Sequence, residues 1–212
     1  MLTFDKIIDI SISLGTEEIT YPGDPAYKRR QVTALKNGSP YELSSLSLSS
    51  HSGTHIDAPA HFIGNGKKIH ELPLRRFILP AGVIEIQDNS LITLKELQAA
   101  SWGPAKALLF KTENSRQGKI TNGSFREDYV SLAPDAARFC VEKGISLVGI
   151  DYITIDKADA NFAAHNILLG NGLIILESIN LKHVTPGPYT LLCLPLKIHN
   201  GEASPVRAVL LQ

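Results

Sequence analysis

Only two cysteines, Cys140 and Cys193, occur in the 212 residues, so at most one disulfide is available. Both sit in apolar sequence and are expected to be small buried thiols of a reducing compartment. Basic runs of five or more are missing, and 21 Lys and Arg balance 21 Asp and Glu. That excludes a long-range field drawing the chain onto nucleic acid or an anionic membrane. The longest apolar runs fall well short of the roughly 20 residues that a membrane span requires. The N-terminal "MLTFDKIIDISISL" carries acidic residues and lacks a signal-peptide layout, so a cytoplasmic protein is expected. No G-x-S-x-G is present, which removes the usual marker of a serine hydrolase. "GKIT" (118–121) is not a phosphate loop, because Glu113 stands where such a loop needs glycine. "GNG" (170–172) reads as a turn, not a dinucleotide fingerprint.

What is present is strand-rich. "IIDISISL" (7–14) and "ELSSLSLSS" (42–50) alternate apolar and polar residues, the pattern of half-buried strands. "AGVIEI" (81–86), "KALLFKT" (106–112), "ISLVGID" (145–151), "GLIILES" (172–178), "YTLLCLPLKI" (189–198) and "PVRAVLLQ" (205–212) read as further strands. "TLKELQAA" (93–100) predicts a short helix capped by Thr93. "APDAARFCVEKG" (133–144) predicts the clearest helix, with Pro134 in its first turn and Gly144 as its stop. The stretch 113–129 reads as a polar surface excursion long enough to carry function. No linker or repeat divides the chain. The expected fold is α/β, with more strand than helix, in one domain spanning 1–212.

One segment stands apart. "HSGTHIDAPAH" (51–61) places His51, His55, Asp57 and His61 within eleven residues, in a chain with seven histidines. Imidazole nitrogen and carboxylate oxygen are natural ligands for zinc, manganese and iron(II). On extended chain, residues two apart point the same way, so His55 and Asp57 can share a target. Pro59 forbids a continuous helix or central strand, so the segment must bend, and a bend can return His51 and His61 to one point. Gly53 lets the backbone approach closely. A loop of hydrogen-bonding histidines is the competing explanation, and the density of ligand types argues against it. An aspartate among the ligands and no cysteine favour a catalytic over a closed structural site. A two-metal hydrolytic site needs more ligands than this stretch holds. "AAHNILLGNGLIILESINL" (163–181) offers His165 and Glu177. A carboxylate ending the apolar run "LIIL" is costly to bury unless paired or ligating, although a plain exposed strand end is also compatible. Asp151 and Asp156, flanking "YITI", could orient a ligand histidine or simply form a strand-end turn. His70, His183 and His199 stand alone in the sequence and read as surface or hydrogen-bonding residues. Arg207 is expected in a structural pair.

The segment matches H-x-G-T-H-x-D-x-P-x-H, and with it the chain resembles the metal-dependent cyclase family. The likeness extends over "DIS…YPGDP", "GIDYITID" (149–156), "AHNILL" (164–169), "ILESINL" (175–181) and "ASPVRAVLL" (203–211). The resemblance implies a swivelling β/β/α fold, a dimer or tetramer, and two divalent metal ions, zinc first and manganese as the alternative. It implies that His51, His55 and Asp57 bind one metal, that Asp57 and Glu177 bridge to the second, and that His165 completes it. It gives His61 the role of proton donor and acceptor. Tyr21 matches a substrate-contacting aromatic position, and Phe62 could extend that wall. The implied reaction is amide hydrolysis of a small aryl amide, N-formyl-L-kynurenine foremost, with isatin-like lactams or cyclic imides as alternatives. A metal-loaded module without turnover, or a lyase that adds no water, are the competing classes.

Overall fold

The computed structural model describes residues 4–157 and 161–212. Among these, nine strands form one sheet: β1 (Ile7–Asp9), β4 (His55–Asp57), β5 (Ile78–Glu85), β7 (Ala107–Lys111), β9 (Leu147–Ile150), β10 (Ile174–Glu177), β11 (Gly187–Leu192), β12 (Ala203–Pro205) and β13 (Val209–Leu211). Their spatial order is β1-β13-β11-β5-β7-β9-β10-β4-β12. The four in the middle, β5, β7, β9 and β10, run parallel. The flanking pairs are antiparallel. Two small sheets stand outside it, β2 (Lys28–Thr33) with β3 (Leu43–Ser47), and β6 (Leu91–Ile92) with β8 (Ser131–Leu132).

The parallel strands are buried on both faces, which explains their unbroken apolar runs. In β7, Leu108 and Phe110 join one core while Ala107 and Leu109 join the other, as a two-residue period demands. The first core is covered by α1 (Leu94–Ala99), α3 (Pro134–Glu142) and α4 (Ala163–Gly170). The second is enclosed by the sheet itself, because residues from β4 and β10 meet residues from β5, β11 and β13 in one cluster. The sheet therefore curls. Gly149 belongs where β9 passes β7, since a Cβ there would lie 2.4 Å from Leu109 Cδ2.

Several expectations hold with trimmed boundaries. Thr93 caps α1, its hydroxyl accepting from the Glu96 amide at 3.4 Å while the Glu96 carboxylate accepts from the Thr93 amide. Pro134 opens α3 and Gly144 follows it at φ 66°. Both cysteines are buried and free, and burial raises Cys140 to a pKa of about 12.

Others need correction. The strand expected over 7–14 pairs only at Ile7–Asp9, with one further bridge at Ser11. The strand expected over 42–50 does not enter the main sheet; it forms an exposed hairpin with β2. The terminal segment 205–212 splits between β12 and β13. The polar excursion 113–129 is partly interior. It contains α2 (Glu113–Arg116), and Asn114, Ser115 and Ile120 are buried. Asp151 explains this. It is fully buried and accepts from the Thr112 and Ser115 amides at 2.8 and 3.0 Å and the Thr112 hydroxyl at 2.7 Å. Asp151 thus fastens the start of α2 to the end of β9 and belongs to the strand-end reading. Burial raises its pKa and these donors lower it, the former dominating. Arg207 pairs with Asp9 at 2.8 Å, as expected of a structural partner.

Candidate active site

The site begins with two neighbouring strands. β4 supplies His55 and Asp57 on one face, and turns Ile56 into the opposite core. β10 lies antiparallel beside it, with Glu177 directly opposite His55. Pro59 then starts a 3-10 turn over Pro59–His61, which brings His61 back over the strand. Gly53, at φ 67°, sits so close to Leu14 that a Cβ would approach it to 2.7 Å. The bend returns His51 to within 4.2 Å of His61, ring centroid to ring centroid. The last member arrives from α4, which packs across this face and carries His165.

The relative exposures of His55, Asp57, His165 and Glu177 are 1, 0, 3 and 3 %. Burying ionisable groups in this way costs several kcal/mol each, on the order of magnitude known for buried ions, unless they are compensated. Compensation is incomplete. His55 Nε2 and both Asp57 oxygens are buried without a hydrogen-bond partner among the described residues. The arrangement around them is paired. Asp57 offers Oδ1 to His55 Nε2 at 3.6 Å and Oδ2 to His165 Nε2 at 3.5 Å. Glu177 offers Oε2 to His55 Nε2 at 3.4 Å and Oε1 to His165 Nε2 at 3.5 Å. His51 Nδ1 lies 2.9 Å from Asp57 Oδ1. Each carboxylate therefore turns one oxygen to each of two histidines, a disposition suited to bridging two cations. Lone pairs converge here with too few protons to satisfy them, and the donor set is the imidazole and carboxylate type that divalent metals take. These residues fit such ions.

Each histidine is aimed from behind. His55 Nδ1 meets the Gly53 carbonyl at 2.8 Å. His165 Nδ1 meets Asp156 Oδ2 at 2.7 Å. Asp156 also accepts from the Ala164 and His165 amides at 2.8 and 2.9 Å, so one carboxylate caps α4 and directs its histidine. This resolves the two readings of Asp156 in favour of orientation. Sequence reasoning missed Glu202, whose Oε1 stands 3.7 Å from His51 Nε2 and accepts from the Ser50 hydroxyl. It follows a turn near the C-terminus with no local signal of a role.

Electrostatics separate the histidines. Burial opposes charge on His51, yet Asp57, with Glu177 and Glu202 farther off, raises its pKa to about 9. Burial lowers His61 below its ordinary value; Asp57 and Glu177 pull it up, while His51 and His165 push with burial. His61 is thus held towards the neutral form beside strong carboxylates. Its ring nitrogen is within 4.8 Å of ligand atoms of His51 and Asp57.

A cavity of about 210 Å³ opens above these groups. Tyr21, Asp24, Phe62, Ile153, Thr154 and Phe162 wall it, and His51, His55, His61, His165 and Glu177 form its reactive side. Tyr21 is braced edge-on by Phe125 at 5.4 Å. Phe62 stacks on His165 at 4.7 Å and approaches Phe162 at 5.2 Å. Both expected aromatic residues are therefore at the site, and Phe162 is an addition. Among the described residues, no Lys or Arg lines the cavity. His70 and His199 lie elsewhere but not singly, their rings 4.7 Å apart. His183 is exposed, as expected.

Comparison with known proteins agrees with this geometry. The Cyclase family model matches residues 8–157. The kynurenine formamidase of Bacillus mycoides (strain KBAB4) is 37 % identical over 204 residues, covering 96 % of each chain. A protein of Bacillus stearothermophilus, titled a "predicted metal-dependent hydrolase", is 30 % identical with a TM-score of 0.80, covering 97 % of each chain. Isatin hydrolase A of Labrenzia aggregata, solved with benzyl benzoate, is 26 % identical with a TM-score of 0.81, covering 97 % of this chain and 93 % of that one. Full-length similarity, the curled sheet and the histidine–carboxylate cluster lead to one assignment: the chain belongs to the cyclase family.

Proposed function

We propose that this chain is a metal-dependent amidohydrolase acting on a small aryl amide, foremost N-formyl-L-kynurenine, which it would cleave to L-kynurenine and formate. The observation that carries this reading is the convergence of buried histidine and carboxylate acceptors, His55 Nε2 and Asp57 Oδ2 among them without a hydrogen-bond partner, beneath an aromatic-walled cavity. Isatin-like lactams remain the second reading, favoured by the likeness to isatin hydrolase A. His51, His55 and Asp57 would hold one ion, Asp57 and Glu177 would bridge, and His165 would complete the other. Zinc is the first choice and manganese the alternative. We further propose a cytoplasmic homo-oligomer. No helix among the described residues is long and apolar enough to cross a membrane.

When bound, the ions would polarise the substrate carbonyl and make water a better nucleophile at neutral pH. The chain's own groups do the rest. Tyr21 and Phe62 place the arene and exclude bulk solvent. His61, kept neutral in the free site, takes a proton from the attacking water and returns it to the departing nitrogen. One water is consumed, the C–N bond breaks, and acid and amine leave. The Gly53 carbonyl and Asp156 keep His55 and His165 turned with Nε2 inward.

Two measurements test this in the whole protein. Chelation is expected to abolish formyl-kynurenine hydrolysis, and added zinc or manganese to restore it; activity that survives complete metal removal would reject the reading. Asp156→Asn is expected to weaken metal binding by about 10- to 100-fold, as loss of such an orienting partner does elsewhere. Competition with a chelating dye gives the affinity directly, and an unchanged value would remove Asp156 from the centre.

A further inference from the structure

Phe162 is the feature of the cavity that local sequence preference explains least. It and Asn161 adopt left-handed backbone conformations in succession, at φ 53° and 50°. Residues with a Cβ rarely do so, and two together persist only where the surroundings over-determine them. The surroundings here do. Asp156 grips the first turn of α4 through the Ala164 and His165 amides. Asn166 grips the other side, its backbone N–H donating to the Phe162 carbonyl at 3.0 Å and its side-chain amide to the same carbonyl at 2.9 Å. Clamped between them, a large aromatic side chain stays 38 % exposed at the cavity, where a glycine would satisfy the backbone.

Among the described residues, the rings that meet the Phe162 ring are Phe62 at 5.2 Å and His165 at 6.1 Å, both parts of the site. Phe62 in turn stacks on His165 and so packs against the metal side as well as lining the cavity beside Phe162. We infer that Phe162 is a specificity-determining residue, held in an unfavourable backbone conformation so that its ring contacts the arene of an aryl substrate and selects it over an alkyl one. This rests on the amidohydrolase reading and names the part of the substrate that one wall of the site recognises.

The test compares hydrolysis of formanilide and N-butylformamide by the metal-loaded enzyme, together with binding of 2-aminoacetophenone followed by calorimetry. An aromatic contact of this kind corresponds to a factor of about 2 to 10 in affinity. Phe162→Leu and Phe162→Ala are expected to lower the aryl-to-alkyl ratio of kcat/KM by about that factor, chiefly through KM, and to weaken 2-aminoacetophenone comparably. Phe162→Tyr should retain the ratio. Phe162→Gly should lose it while raising Tm by about 2–4 °C, because the backbone cost is relieved. An unchanged ratio in folded Phe162→Leu overturns the inference even if the wild type hydrolyses both amides. Should the wild type hydrolyse neither, the binding measurement still decides. Weaker 2-aminoacetophenone binding by Phe162→Leu then supports the aromatic contact while the amidohydrolase reading falls, and unchanged binding overturns the contact as well.

Discussion

His61→Ala is expected to retain its metal and lose about two to four orders of magnitude in kcat, the usual worth of a positioned proton-transfer group. Three observations motivate this. His61 enters from a 3-10 turn rather than from β4 or α4, where the paired carboxylates face the other histidines. Burial lowers its pKa, whereas Asp57 raises that of His51 to about 9, so the two neighbouring rings sit in different electrostatic surroundings. It also stands against the cavity wall, in edge contact with Phe62 at 4.6 Å, where a leaving nitrogen would be within reach. The competing role is ligation, since its ring nitrogen is close enough to His51 and Asp57 to share an ion with them. Metal content by plasma emission spectroscopy, read beside kcat, separates the two. Metal lost in proportion to activity would make His61 a ligand. Full activity in a metal-replete His61→Ala would end both roles.

Glu177→Ala is expected to lose both activity and metal, with the second ion leaving first. Glu177 faces His55 through one oxygen and His165 through the other, as Asp57 does, so its loss leaves one bridging carboxylate where two converge. It has a second duty, accepting from the Ile155 amide at 2.7 Å, which ties the segment after β9 to the end of β10. Removing it leaves that buried donor unsatisfied, a loss of about 1–3 kcal/mol. Glu177→Gln is the cleaner variant, because the amide oxygen can keep the Ile155 contact while the charge is gone. Thermal unfolding close to wild type, together with a metal content of one ion or none per chain, is the expected outcome. Two ions retained in Glu177→Gln, with activity intact, would place the bridge elsewhere.

The first part of the candidate ligand set was legible because it is written in short-range terms. A two-residue strand period puts His55 and Asp57 together, and Pro59 makes the turn that delivers His61. Glu177 was legible for the opposite reason, as a charge that the surrounding apolar run could not otherwise tolerate. What escaped is what depends on distant partners. α4 is a short helix whose first amides are satisfied by Asp156, several residues upstream, and not by Phe162 at its own cap position, so the sequence next to the helix does not mark its start. β2, "KRRQVT", lacks an apolar face because its hairpin is exposed, and periodicity has nothing to register there. Asp151 and Asp156 are equivalent in sequence context. Only the packing of α2 against one and α4 against the other gives them different work.

The position of β4 bears on how the protein matures. That strand, from the first third of the chain, is sandwiched between β10 and β12, both made in the last quarter or so of synthesis. On a translating ribosome His51, His55 and Asp57 therefore emerge long before the segments that must flank them. A nascent chain can offer only a loose chelate until β10 and β12 have left the exit tunnel. Such long-range pairing slows folding, and with the proposed ligands it would put ion capture among the final events in biogenesis.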